Sequence, residues 1–402
     1  VAAVAFLTPA VAQTFHTYIG NLSHNSVTIA WGTTRGSGNT IGRGSQPHGR
    51  GHVRINERDY SSGRNWVHIT GLTADTDYDY TVFIDGRRVG AGSFRTWAEN
   101  SNKLAFFVIG DYGNDSGGQH RVAAAMWREF LRRSQTDNPV RFVITTGDNI
   151  YGWGVWPVVL GSGDRDSHWR DRFYVPYEEV IRRIPFYPTL GNHDCGESES
   201  SGDLDVYLDN FFFPEGSPAQ FYRFHYGNLA EFFALDTTNC VLSGDSAPQY
   251  LEDGEQFRWL RSTLPASKAV WKIPYFHHPP FTAGPEHAPR LEQLRHFVKL
   301  FQETGVSVVF NGHEHNFQYT GKGQVSGDVL YVVSGAGGEL RDRAITPRLS
   351  AAGIAAAANQ RHFTVVEIEG KTMRITPVGE RPIELIGPDG KARPLPVVVN
   401  AR

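Results

Sequence analysis

Short apolar runs recur through the middle of the chain, and each stops at the same kind of place. Leu104 to Ile109 leads into Gly110-Asp111, and Phe142 to Thr145 into Gly147-Asp148-Asn149-Ile150-Tyr151. Phe186 to Leu190 leads into Gly191-Asn192-His193-Asp194, Trp271 to Phe276 into His277-His278-Pro279, and Val306 to Phe310 into Gly312-His313-Glu314-His315. Bounded apolar runs of this kind read as buried strands. The pattern therefore predicts strand tips bearing carboxylates, an amide and imidazoles, with each glycine letting the backbone turn out of the sheet. Between the runs, Gln119 to Ser134 places Val122, Met126, Phe130 and Leu131 at helical spacing, and Arg172 to Ile184 and Leu291 to Thr304 read the same way. Strands alternating with helices predict an α/β domain with a partly parallel sheet. Strands return at Val329 to Val333, Phe363 to Ile368 and, after a turn at Gly370, Met373 to Val378.

The first quarter of the chain has a different period. Val27, Ile29 and Trp31 alternate with polar residues, as do Tyr78, Tyr80, Val82 and Ile84, and Asp85-Gly86 is a hairpin turn leading into Val89 to Thr96. Residues 14–98 are thus expected to form an all-β domain, followed by the α/β domain over 102–380 and an extension over 381–402. His16, His24, His48, His52 and His68 are scattered through the first domain without clustered partners, which suits surface or packing roles. The segment 152–166, rich in Gly, Trp and Pro, directly follows one strand tip and is expected to wall or cover it. Residues 1–13 read as a residual signal peptide, with Ala10-Val11-Ala12 fitting a cleavage site.

A chain of 402 residues exceeds one ordinary domain. Its net charge of -3 and lack of a basic run argue against nucleic acid as a dedicated partner. No apolar stretch is long enough to span a bilayer. Cys195 and Cys240 are the only cysteines. A disulfide suits an oxidising compartment, whereas a thiolate ligand lacks a second cysteine at metal-binding spacing.

The chemistry gathers at the strand tips. Asp111, Asp148, Asn192, His277, His313 and His315 form a mixed oxygen and nitrogen donor set suited to Fe, Zn or Mn, and the two imidazoles of Gly312-His313-Glu314-His315 can each reach a different ion. GDYG, GDNIY, GNHD, HHP and GHEH, in this order over roughly residues 100 to 380, resemble the five motifs of the calcineurin-like metallophosphoesterases. Tyr151 within GDNIY makes the chain similar to the purple acid phosphatases among them. Gly71-Leu72 through Asp77-Tyr78 resembles the tyrosine-corner segment of fibronectin type III sandwiches.

These resemblances imply a fibronectin III-like β-sandwich followed by a four-layer α/β/β/α metallophosphoesterase domain. They imply an exported acid phosphatase, secreted or periplasmic, that hydrolyses small phosphate monoesters by attack of a metal-bound hydroxide. Asp111, Tyr151 and His315 would hold Fe(III); Asn192, His277 and His313 would hold a divalent ion (Zn, Fe or Mn); Asp148 would bridge. His193 would touch the phosphate or leaving-group oxygen, and His287 would contact substrate. A phosphodiesterase or nucleotidase on the same scaffold is the alternative, and a binding protein with a vestigial metal site is a rival from another class. Asp194 is expected to anchor its own turn or a ligand histidine, and Asp236 to be structural. Tyr112 and Trp153 are expected near the entrance, and Glu314 is expected to point away from the metals.

Overall fold

A computed structural model describes residues 14–35, 38–39, 42–43, 47, 49–155, 158–160, 166–195, 204–214, 219–240, 248–321, 323, 326–341 and 348–402. The expected signal segment, His48, the side chain of Trp153 and part of the expected lid lie outside the described residues.

Residues 14–98 form two antiparallel sheets. Phe15–Gly20, Ser26–Arg35, Gly38–Asn39 and Trp66–Thr70 make one; Arg58–Ser62, Gly51–Ile55, Asp77–Ile84 and Arg87–Arg95 make the other. The alternation read from the sequence is realised, with Val27, Ile29, Trp31, Val53, Ile55 and Val82 buried in one apolar cluster. The hairpin turn takes the left-handed conformation at both central residues, Asp85 (φ 48) and Gly86 (φ 79), which matches the twist of its strands. The Tyr78 hydroxyl accepts the Thr73 amide at 2.8 Å and so closes the corner before its strand.

Two larger sheets follow. One runs, in spatial order, Phe186–Tyr187, Val140–Thr145, Lys103–Ile109, His362–Glu369, Thr372–Gly379 and Val397–Asn400; its first three strands are parallel and the rest antiparallel. The other begins with the Tyr222–Tyr226 and Ala230–Ala234 hairpin. It continues in parallel through Trp271–Tyr275, Val308–Asn311 and Leu330–Ser334. Phe106 and Phe142 of the first sheet both meet Phe232 of the second edge-on, with centroids 5.1 Å apart in each case. The helix Gly117–Ser134, capped where Ser116 Oγ accepts the Gln119 amide at 3.1 Å, packs on the first sheet. Leu260 and Leu264 of Glu255–Ala266, with Leu294, Phe297 and Phe301 of Leu291–Glu303, pack against Phe233, Val309 and Tyr331 of the second. Residues 381–402, expected as an extension, supply strands to both sheets.

The helix expected over Arg172 to Ile184 is broken. Asp166–Trp169 runs into a π-helical turn, Arg170–Tyr174, and after residues 175–177 only Glu178–Ile181 is α-helical. Pro176 has no N–H to continue the ladder, and its ring crowds the preceding turn. The wide turn carries Arg172 inward, where its guanidinium donates to the Tyr151 carbonyl.

The sandwich and the larger sheets share one apolar cluster. Trp97 sits at their seam, with ring centroids 5.4 Å from Tyr226 and 5.6 Å from Phe142. The Tyr80 hydroxyl donates to the Arg182 carbonyl at 3.1 Å, and the Tyr187 hydroxyl to that of Leu22 at 3.3 Å. His16 is buried there against Tyr174, with Nδ1 3.8 Å from the Glu178 carboxylate.

Candidate metal centre

The strand tips converge, and the backbone strain falls on residues with chemistry. Asp111, Asp148 and His313 have φ of 56, 49 and 69, a region that non-glycine residues seldom adopt. Each follows a glycine. Of Gly110, Gly147, Gly191 and Gly312, only Gly147 is itself left-handed. The expectation that every glycine supplies the turn is therefore corrected, since most serve close approach instead. A Cβ on Gly191 would lie 2.1 Å from the Asp148 amide nitrogen, and one on Gly312 would lie 2.5 Å from the Thr146 carbonyl oxygen.

The structure brings the predicted donors together in two groups. In the first, the Tyr151 hydroxyl donates to Asp111 Oδ1 at 3.1 Å and lies 3.2 Å from His315 Nε2, which is 3.4 Å from the same Asp111 oxygen. In the second, His277 Nε2 lies 3.0 Å from Asn192 Oδ1 and 3.1 Å from His313 Nδ1. Asp148 stands between the groups. Its Oδ2 is 3.4 Å from His277 Nε2, and its Oδ1 accepts the His193 amide at 2.8 Å. The His193 ring leans on the Tyr151 ring at 4.5 Å, and the His287 ring on that of His313 at 3.9 Å. All nine predicted site residues thus occupy one neighbourhood.

Other residues hold this arrangement. Asp194 accepts the amides of Asn149 at 2.9 Å, Ile150 at 3.1 Å and Gly191 at 2.8 Å, tying two strand tips together. Sequence reading confined it to its own turn or a histidine; a carboxylate that joins segments distant in sequence leaves no local pattern. Tyr112, expected at the entrance, is fully buried and donates to Asn149 Oδ1 at 2.9 Å, so it belongs to the scaffold. Asp236 is also buried and accepts the Thr238 amide and hydroxyl at 2.8 and 2.7 Å. In the His277-His278-Pro279 element His277 is the expected ligand and His278 its neighbour, yet His277, His278 and His313 offer ligand atoms all within 4.8 Å of one another. The disulfide joins Cys195 to Cys240, with Cα atoms 6.0 Å apart, and tethers the chain just after His193.

The electrostatics are those of a crowded anionic and imidazole cluster. Burial pushes Asp111 above the usual carboxylate range, although His315 and His277 partly oppose it. Burial acts likewise on Asp148, but His277 and His193 outweigh it and hold the carboxyl well below that range. Burial lowers His277, yet Asp148 and Asp111 prevail and raise it to about 9. Burial, then the neighbouring His278 and His277, hold His313 far below normal. Burial and then Asp111 and Asp148 raise Tyr151.

This donor set fits cations. With its Nδ1 proton directed at the Thr146 carbonyl oxygen at 2.8 Å, His277 turns Nε2 toward Asn192 Oδ1, His313 Nδ1 and Asp148. Neutral imidazole nitrogens and carboxylate oxygens aimed at one another repel unless a proton or a cation lies among them. Asp111, Asp148 and His277 offer three donor atoms within 4.8 Å, all buried.

Residues 104–317, just over half the chain, match the calcineurin-like phosphoesterase family, and the chain belongs to that family. Among its relatives is tartrate-resistant acid phosphatase type 5 of Mus musculus, 30% identical over 253 residues, covering 58% of this chain and 72% of the relative. An uncharacterized protein of Mycobacterium tuberculosis is 25% identical over 331 residues, 75% of this chain; the chain spans only 61% of that relative's length. The fold is shared with purple acid phosphatase PPD1 from yellow lupin seeds, with a TM-score of 0.66 and 15% identity over 96% of this chain and 73% of that one.

Proposed function

We propose that the protein is an exported dinuclear-metal acid phosphatase acting on small phosphate monoesters. The observation that carries the reading is the division of the donors by Asp148 into Asp111, Tyr151 and His315 on one side and Asn192, His277 and His313 on the other. The first group would hold Fe(III) and the second a divalent ion, Zn, Fe or Mn, with Asp148 shared. Bound there, two cations would offset phosphoryl charge and make a nucleophile of water near neutral pH. The chain's own residues do the rest. Thr146 fixes the His277 tautomer by accepting its Nδ1 proton. His193, its backbone pinned by Asp148 and its ring lodged on Tyr151, protonates the leaving oxygen; His287 contacts the phosphate.

The same reading takes residues 14–98 as a fibronectin III-like sandwich, supported by the Tyr78 corner. It takes 102–380 as the catalytic domain in four layers, supported by helices packed outside both sheets, and 1–13 as a residual signal peptide. The disulfide agrees with an oxidising compartment.

Metal analysis paired with rates on a phosphate monoester and its diester analogue tests the proposal. Two ions per chain with preference for the monoester at mildly acidic pH is the expected result. Preference for the diester would instead make it a phosphodiesterase, and failure to bind two ions after reconstitution would make the site vestigial.

A further inference from the structure

Glu314, Asn316 and Gln318 alternate along one edge of the chain beside the metal ligands, so their side chains share a face. All three are buried, and all three turn toward the segment 282–287, which carries His287. Gln318 Oε1 accepts the Ala283 amide at 2.8 Å, while its Nε2 donates to Thr282 Oγ1 at 3.0 Å and to Asn316 Oδ1 at 2.8 Å. Asn316 Nδ2 reaches the Gly284 carbonyl oxygen and Glu314 Oε2, each at 3.4 Å. Glu314 Oε1 accepts the Glu286 amide at 3.1 Å and also the amide of His287 itself. The ladder thus grips Thr282, Ala283, Gly284, Glu286 and His287 in succession.

Two features separate this from ordinary loop packing. Glu314 lies between His313 and His315, so the strand tip that presents two donors also fixes the loop above them. A buried carboxylate accepting two successive amides holds a backbone at one height, whereas apolar packing would let it slide. The His287 ring consequently rests 3.9 Å from the His313 ring.

We propose that Glu314 is a positioning residue, and that with Asn316 and Gln318 it sets the height of His287 over the metal ligands and hence the fit of the substrate phosphate. Resting on the phosphatase reading, the proposal gives Glu314 no contact with substrate; it acts through His287.

The test compares Glu314→Leu, which keeps volume but removes the acceptor, with Glu314→Gln, which keeps an acceptor oxygen. In Glu314→Leu, kcat/KM on a phosphate monoester should fall by on the order of 10²-fold, as expected when a substrate-positioning group is displaced by about an ångström, while metal content is unchanged. Glu314→Gln should stay within a few-fold of wild type. In a His287→Ala background, Glu314→Leu should add almost nothing, because the group it positions is gone. Amide hydrogen exchange gives a readout independent of turnover: residues 282–287 of the metal-free protein should exchange faster in Glu314→Leu and not in Glu314→Gln. Gln318→Ala, which opens the far end of the ladder, should move both readouts in the same direction by less, and serves if Glu314→Leu does not fold. Losses that multiply in the double variant, or exchange over 282–287 unchanged by Glu314→Leu and Gln318→Ala, would overturn the proposal. A wild-type protein inactive on monoesters would sink the phosphatase reading alone, and the exchange measurement would still decide this one.

Discussion

At the strand tips, buried side chains meet through oxygens and ring nitrogens, and backbone amides hold the carboxylates in place; at the seam between the sandwich and the larger sheets, they meet ring against ring. Asp148 and Asp194 lie close together at the tips, both fully buried or nearly so. Asp194 is saturated by amides of neighbouring segments, whereas Asp148 leaves one oxygen facing His277. Trp97 at the seam has aromatic neighbours on several sides. The difference teaches where chemistry can be lost without loss of fold. Removing a donor at the tips takes away a charge and its hydrogen bonds, while removing a ring at the seam opens a cavity.

Asp148→Ala should give the largest change. Activity is expected to fall by on the order of 10³-fold or more, with both ions lost on dialysis, while the metal-free protein loses less stability than Trp97→Ala does. Metal analysis beside a thermal melt checks this, and a large drop in metal-free stability would erase the distinction between tips and seam.

Trp97→Ala should do the reverse. Truncating a buried tryptophan costs about 3–5 kcal/mol, visible in denaturant unfolding, while kcat per folded molecule stays near wild type. An intact melting curve with impaired turnover would show that the seam governs the site directly. The seam also bears on truncation: the donors begin at Asp111, but a chain starting near Ser101 would strip Trp97 from Phe142 and Tyr187.

Tyr151→Phe sharpens the comparison within the tips. If the phenolate binds Fe(III), the iron-loaded protein is purple to pink and the variant loses its visible band, with activity partly surviving because Asp111, His315 and Asp148 remain. A variant with full iron content and an unchanged band would remove Tyr151 from the donor set.

The smallest effect concerns His16. Burial, then Arg170 and Arg182, lower its pKa from 6.5 to about 4. The folded chain therefore keeps the ring neutral, and unfolding takes up a proton below pH 6.5. Stability from this group is complete above pH 6.5 and declines as pH falls toward 4, by no more than about 3 kcal/mol. His16→Phe should flatten the dependence of melting temperature on pH in that window. Equal slopes in the two proteins would show that the seam does not sense acid through this residue.

The candidate donors were legible because they follow short apolar runs, most of them through a glycine and His277 directly, a local pattern that a strand tip imposes. The sandwich strands were legible from alternation for the same reason. Three features left no such trace. The break after Tyr174 comes at Pro176, a helix breaker that apolar spacing does not record. Asp194 and Glu314 act on segments far away in sequence, so their partners appear only once the tips converge. The strand Val397–Asn400 pairs at a sheet edge with one side exposed, and its short run of valines carries no helix or turn signal that would fix its partner.

The strand Lys103–Ile109, which delivers Asp111, lies between Val140–Thr145 and His362–Glu369, with Val108 opposite Thr364. One of its neighbours is therefore translated long after it. Until the ribosome reaches that neighbour, Phe106, Phe107 and Val108 belong to an open edge that could pair with another chain. Synthesis thus leaves a long interval in which this edge is unpaired. Chains halted before residue 362 should remain protease-sensitive throughout the second domain, even though every proposed metal donor has already been made.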